Sequence, residues 1–363
     1  MKKTLLSMIF IFLLLSSVYA KEMITITDMA GRKVTIPKKV EKVVALSASL
    51  RYIVYLQAFD RVAGIEGVEK HRIMKGNIAT GKAYWLAIKD RVHTIPSVGE
   101  GGPGKLPDFE KLIAVNPDLV ITFEVDNAQL IQSRTGIPVV VIQYARTEGF
   151  RIEDIQNTFN FLGKILQKEK RAEELNRYIN QCIAEIERKT KNSNKPSVYI
   201  GAISARGAHG ITSSEADYPP LRWLNVKNVV DDTRKKGHIF IDREKLLVWN
   251  PDYIFIDTGG FSLVNDDYLK NKEFYKKLKA LREGRVYTVF PYNFYRTNLE
   301  ILIANAYFIG KVIYPERFRD INPQKKAEEI FRKFLGIDVY GDLKSVYRGY
   351  GKVEFKESEI TVH

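Results

Sequence analysis

The sequence predicts an α/β chain: two lobes, each built on mostly parallel sheet, joined by one long rigid helix. Three observations predict it. Short apolar, β-branched runs alternate with helical patterns along most of the 363 residues. The region 152–191 carries no strand signal and reads as helix. An eleven-residue unit occurs twice, once on each side of that region.

The chain opens with Lys2 and Lys3, then a mostly apolar run from Leu5 to Leu15, with Val18 and Ala20 at the two key cleavage positions. A basic start, a short apolar core and small residues after it predict a secretory leader over residues 1–20. The run is too short to span a bilayer. A soluble chain beginning near Lys21 is expected, of about 343 residues, the size of two ordinary domains. Cys182 is the only cysteine. It cannot form an internal disulfide, a zinc cluster or an iron–sulfur centre, and no cysteine stands at the cleavage site to carry a lipid. The expected location is periplasmic or otherwise extracytoplasmic.

The formal charge is +14, and loss of Lys2 and Lys3 lowers it to +12. A basic surface suits nucleic acid, anionic membrane or anionic ligand. Export argues against nucleic acid. The lysines are also dispersed among glutamates, as in Lys168-Glu169-Lys170-Arg171, the pattern of a solvated surface.

Six runs read as buried strands: Val43–Leu46, Leu119–Thr122, Val139–Ile142, Val198–Ile200, Tyr253–Ile256 and Val286–Val289. Continuous apolar strands separated by helices indicate parallel sheets covered on both faces. Between the third and fourth runs, Glu, Lys, Leu, Ala and Ile recur at helical spacing. One helix is expected over Ile152–Leu166 and a longer one over Glu169–Lys191, ended by the breakers Asn192-Ser193-Asn194-Lys195-Pro196. The domain division expected is a first lobe over 21–167, a connecting helix over 168–192, a second lobe over 193–336 and a C-terminal extension over 337–363.

The repeated unit runs Asp108 to Asp118 and again Asp242 to Asp252, with seven of eleven positions identical and no gap. In both copies Asp is expected to cap a short helix, and Glu110 or Glu244 falls in the first turn, where the helix dipole favours it. Asn-Pro ends the helix, because proline disfavours a helical residue before it. The last Asp leads into a strand. The same supersecondary unit is therefore expected once per lobe.

Three passages carry a family resemblance. They are the start Ile24-Thr25-Ile26-Thr27-Asp28-Met29-Ala30-Gly31-Arg32-Lys33-Val34-Thr35-Ile36-Pro37 with its following strand, the repeated unit, and Arg285–Val289 followed by Tyr314-Pro315-Glu316-Arg317-Phe318. On these the chain resembles the class III periplasmic binding proteins of the ferric-siderophore and cobalamin importers. The resemblance implies two Rossmann-like lobes, a rigid connecting helix, a ligand cleft between the lobes and modest closure. It implies a monomer that serves an ABC permease and its cytoplasmic ATPase, with no cofactor and no catalysis. It also implies that Glu110 and Glu244 dock on basic pockets of the permease. The plainer reading is that each only complements a helix N-terminus.

Open parallel sheets bind ligands outside the carboxyl ends of their strands. The residues there are Ser47, Ser49 and Arg51; Glu124; Tyr144 and Arg146; Arg206 and His209; and Tyr292, Asn293, Tyr295 and Arg296. Arginine forks and tyrosine rings suit an anionic, partly aromatic ligand. The long segment Gly67–Gly104 reads as a loop carrying His71, Lys82, Tyr84, Trp85 and His93; Tyr84 and Trp85 either cover the cleft or pack on the lobe. Gly99 to Gly104 matches G-x-G-x-x-G, but Leu106 and Pro107 intervene before any helix, so a loop is the better reading. The five histidines, His71, His93, His209, His238 and His363, show no helical ligand spacing, and no resident metal site is expected. His209 is placed to touch a chelated metal.

A ferric chelate is the leading expectation for the ligand. Molybdate or tungstate, and haem or cobalamin, are the alternatives within the same class. An oxyanion needs a tight nest of donors, such as Ser47 to Leu50 offers. A secreted enzyme is the reading from another class. No G-x-S-x-G, H-E-x-x-H or P-loop motif is present, and Asp231-Asp232 and Asp266-Asp267 sit in polar turn sequence.

Overall fold

Each lobe is organised by a four-stranded parallel sheet, and the two sheets share one topology. The computed structural model describes residues 21–74, 82–102, 104–143, 150–205, 207–293 and 295–363. The expected leader and the candidates Tyr144, Arg146 and Arg206 lie outside the described residues. The hairpin β1 (Met23–Thr27) and β2 (Lys33–Pro37) opens the described chain. The first lobe then contributes β3 (Val43–Ala45), β4 (Val62–Gly64), β5 (Leu119–Thr122) and β6 (Val139–Val141), in the order β4-β3-β5-β6. The second contributes β7 (Ser197–Gly201), the antiparallel pair β8 (Ser213–Ala216) and β10 (Gly237–Phe240), β9 (Lys227–Asn228), β11 (Tyr253–Asp257) and β12 (Val286–Val289). Its main sheet runs β9-β7-β11-β12, strand for strand the order of the first.

The repeated unit plays the same part in both lobes. Its helices are Phe109–Val115 and Arg243–Trp249, and each feeds a strand next to the first strand of its sheet. Asn116 and Asn250, each before a proline, end their helices at φ 46° and 40°, in the left-handed region. Asp118 accepts from the amides of Glu41 and Lys42 just before β3; Asp252 accepts from the amide of Ser197 at the start of β7. The two aspartates thus pin equivalent strand starts. The caps differ. Asp108 accepts from the Lys111 amide, whereas the Asp242 side chain makes no capping bond, so the expected pair of aspartate caps is realised once.

Strand residues alternate between cores. Val43, Ala45, Leu119, Ile121 and Val140 face one large apolar core that also takes Val198, Ile200, Phe255 and Val289 from the second sheet. Val44, Val120, Val139 and Val141 face a separate core, as do Tyr199, Ile254 and Ile256 in the second lobe. The shared core is filled by helices Ile152–Ile165, Glu169–Thr190, Leu299–Ile313 and Pro323–Leu335. On the long connecting helix, Leu175, Ile179, Cys182 and Ile186 recur at spacings of three and four and are buried. Cys182 is one of these packing residues, and burial raises its thiol pKa. Among the described residues no helix is long and apolar enough to cross a membrane.

Two segments differ from their sequence reading. Residues 67–104 are not one loop: helices Gly67–Met74 and Ala83–Ile88 form within it, because Ala83, Trp85, Leu86 and Ile88 find buried positions on the lobe. Residues 337–363 add the helix Tyr340–Tyr347 and the hairpin β13 (Val353–Phe355) and β14 (Ile360–Val362). The Thr288 amide donates to Gly351, 2.9 Å away, so this segment covers the open edge of β12. Tyr350 stacks on Phe308 at 4.5 Å and 10°.

Candidate functional site

The strand-end loops of the two lobes meet around one short loop of the second lobe. It runs from Asn293 to Thr297, closed by a backbone bridge between those residues, and lies between β12 and helix Leu299–Ile313. Tyr295 and Arg296 are both left-handed, at φ 50° and 72°. Facing them in the first lobe, Ser47 and Ala48 after β3 are left-handed too, at φ 55° and 72°. Four non-glycine residues in this region cost about 1–3 kcal/mol each and persist only where the surroundings impose them.

The surroundings are specific. Arg51, on helix Leu50–Tyr55, is buried, and its guanidinium donates to the backbone carbonyls of Tyr295 and Thr297 and to that of Ala48. The Tyr295 hydroxyl donates to Glu66 at 2.5 Å. Arg296 pairs with Glu124 at 3.3 Å and lies 4.6 Å over the Phe123 ring. The loop of one lobe is therefore held by Arg51, Glu66, Phe123 and Glu124 of the other. One turn further along the same helix, the Tyr55 hydroxyl donates to the buried Glu300 of the second lobe.

Behind the loop lies a buried polar cluster. Glu66 accepts from the Ser47 amide at 3.1 Å, and Gly101 packs so closely on its side chain, at φ +76°, that a Cβ would overlap it. Burial, and next the charge of Glu69, pushes the Glu66 carboxyl up, to about 7. Glu69 is raised as well, chiefly by burial. It accepts from the Tyr84 hydroxyl and, at 3.0 Å, from the Trp85 indole. The Lys82 ammonium sits 3.5 Å over the Trp85 ring and 4.7 Å over that of Tyr295.

Against the sequence expectations, the structure brings Arg51, Tyr84, Trp85, Tyr295 and Arg296 together. It turns several of them inward. The Ser49 hydroxyl donates to Ile121, Tyr84 and Trp85 serve Glu69, and Tyr292 is buried edge-on to Tyr218. Tyr295, Arg296, Glu124 and Asn293 keep partial exposure. His209 packs beside His238 and Phe240. His71 lies on helix Gly67–Met74 and His93 on a short 3-10 turn, while His363 pairs with Glu354. Sequence reasoning missed Glu66 and Glu69. They follow β4, whose three residues end in Ala-Gly and give no strand signal, though a glutamate within the stretch Ile65–Val68 and a second directly after it are a legible oddity.

Glu110 and Glu244 are exposed, each in the first turn of its repeat helix. A helix that leads into a parallel strand has its N-terminus at the carboxyl edge of the sheet. Both glutamates therefore lie at the carboxyl edge of their sheets, the side of the strand-end loops.

The burial of Glu66 has a pH signature. Its folded pKa, about 7, lies above the ordinary value of 4.5, so the folded state holds the extra proton between those values and stability falls as pH rises through that window. Glu66→Gln should flatten this slope in urea unfolding measured from pH 4.5 to 7.5. An unchanged slope would contradict the assignment.

Comparison with known proteins agrees with this architecture. A family model described as periplasmic binding protein matches residues 59–292. The molybdate-binding protein MolA of Haemophilus influenzae is 24% identical over 334 residues, 85% of this chain and 90% of that protein. Its solved structure with molybdate covers 87% of this chain and 98% of its own, with a TM-score of 0.66 at 19% identity. The petrobactin-binding protein YclQ of Bacillus subtilis is 24% identical over 284 residues, 73% of this chain and 80% of that protein. A periplasmic solute binding protein of Veillonella parvula superposes with a TM-score of 0.67 at 20% identity, over 90% of this chain and 97% of its own. With two like-ordered parallel sheets, a connecting helix and strand-end loops meeting between the lobes, this chain belongs to the periplasmic binding protein family.

Proposed function

We propose that the protein is an exported, monomeric carrier that captures a ferric chelate between its lobes and delivers it to an ABC importer without chemical turnover. The observation that carries the choice of ligand is the state of the Ser47–Leu50 turn. A bare oxyanion needs a nest of free donors. Here the Ser47 amide donates to Glu66, the Ser49 amide to Leu46 and the Ser49 hydroxyl to Ile121. The partly exposed groups are instead a guanidinium, Arg296, set over the ring of Phe123, and the neighbouring Tyr295. A charged fork beside aromatic faces suits the carboxylates and phenolates of a bulky chelate. The likeness to a petrobactin-binding protein supports the same choice. Molybdate is the second reading, favoured by the likeness to MolA over 85% of the chain. Export rests on the basic and apolar leader of residues 1–20.

Trp85, Trp223 and Trp249 permit a fluorescence titration of the chain from Lys21 onward with ferric chelates, molybdate and tungstate. One-to-one saturation by a ferric chelate is expected. Arg296→Ala should weaken it by about 10- to 100-fold, since a hydrogen bond to a charged group contributes about 1.5–3 kcal/mol. Saturation by an oxyanion alone would move the ligand to molybdate or tungstate.

Glu110 and Glu244, exposed at the carboxyl edge of each sheet, are proposed to engage permease arginines. The double variant Glu110→Ala with Glu244→Ala is expected to bind ligand normally and to lose uptake in cells. Normal uptake would refute the docking role.

A further inference from the structure

The Tyr295 hydroxyl joins the second lobe to a carboxyl buried in the first. It donates to Glu66 Oε2 at 2.5 Å, while Oε1 accepts from the Ser47 amide at 3.1 Å. The Glu66 side chain cannot follow if Tyr295 moves. Its carbonyl accepts from the amides of Glu69 and Lys70, and the next two amides, of Gly67 and Val68, donate to Gly99 and Glu100. Gly101 closes on the side chain from the same lobe. Tyr295 itself keeps partial exposure, so it stands between the carboxyl and solvent.

The titratable and charged groups around Glu66 come from each element packed there. Glu69, on the helix that Glu66 precedes, is buried and bonded to Tyr84 and Trp85. Arg51 and Lys82 act on Glu69, where they oppose the effect of burial. Lys70 is turned to the Ile95 carbonyl, and Glu100 is exposed and paired with Lys105. Arg296, beside Tyr295, pairs with Glu124. Burial, and next the charge of Glu69, outweigh the bonds from Tyr295, Ser47 and Gly102, which is why the Glu66 carboxyl is pushed up to about 7.

We propose that Glu66 is a positioning residue for Arg296, acting through Tyr295: its protonated form seats the tyrosine and its ionised form releases it. With the proton in place, phenol and carboxylic acid meet with no charge buried. Without it, a carboxylate lies beside Glu69, and water relieves that charge only when Tyr295 lifts. The seated state therefore holds the proton more tightly than the lifted one, whose carboxyl returns toward its ordinary value of 4.5. Seating is strongest below the lifted pKa, weakens as pH rises toward about 7 and levels off above it. The consequence for ligand, capture favoured by acid and release by neutral pH, rests on the proposed role of Arg296; the link between Glu66 and Tyr295 does not.

The test is made on the ligand-free chain from Lys21 onward, with carbon-13 NMR of glutamate carboxyls and the Glu66 signal assigned by its loss in Glu66→Gln. In the wild-type protein this carboxyl is expected to titrate near neutral pH. In Tyr295→Ala, which removes the cover, it should titrate at least about one pH unit lower, a tenfold change in proton affinity. In Tyr295→Phe, which keeps the ring and drops the hydroxyl, it should titrate no lower than in the wild type. Exchange of the Asn298 amide, which donates to Tyr292 at 2.8 Å across the base of the loop, reads the release itself. Corrected for its intrinsic rate, it should quicken between pH 5 and 7 in the wild type and stay constant in Glu66→Gln, while exceeding at every pH the exchange of helix Leu299–Ile313, the mark of local opening. An ordinary carboxyl pKa in the wild type, an unchanged one in Tyr295→Ala, or wild-type exchange of Asn298 that is flat with pH would each overturn the inference. The wild-type measurements decide even if a variant does not fold.

Discussion

The guanidinium of Arg51 is the interaction on which the arrangement between the lobes depends. It is rooted in the first lobe and donates to the backbone carbonyls of Tyr295 and Thr297 in the second. An arginine is suited to this because its charge does not titrate away and its donors form a fixed fork. Its burial is compatible with stability only because carbonyls answer its donors; removal would leave those carbonyls buried without partners, at about 1–3 kcal/mol each. The left-handed Tyr295 and Arg296 are held in place by the same contact, so Arg296, the proposed ligand contact, owes its position to a side chain buried behind it.

The clamp works against a stiff background. The lobes are not two cores linked by a tether. One face of each sheet and the helices between them share a single apolar core, into which the connecting helix Glu169–Thr190 and helix Leu299–Ile313 both pack. Interiors packed this way deform little. A core shared in this way resists large motion of one lobe against the other. The duplicated sheet order gives each lobe an equivalent carboxyl edge, with the strand-end loops and an exposed glutamate on the same side.

The scaffold was legible in the sequence because its signals are local. Val139–Val141 and Tyr253–Asp257 read as buried strands from their β-branched and aromatic runs, and the unit from Asp108 to Asp118 announces its partner from Asp242 to Asp252. The site was legible only as a location. Strand-end position placed Ser49, Arg51, Tyr292, Tyr295 and Arg296 at the carboxyl edges of the sheets, but which way each side chain turns is decided by packing between segments more than two hundred residues apart, as between Arg51 and Thr297. Glu66 and Glu69 were hidden by the brevity of β4, and the pairing of His209 with His238 by an antiparallel pair, β8 and β10, that no local pattern marks. Helices within 67–104 escaped because they are held by tertiary contacts, not by propensity.

Amide hydrogen exchange of residues 292–298, compared between the wild-type protein and Arg51→Met, tests the clamp most directly. If Arg51 fixes the ligand loop, exchange across this segment should rise at least tenfold in the variant, while the buried helix Leu299–Ile313 stays protected. Equal protection of the loop in both proteins would show that the shared core alone positions it, and would contradict the account.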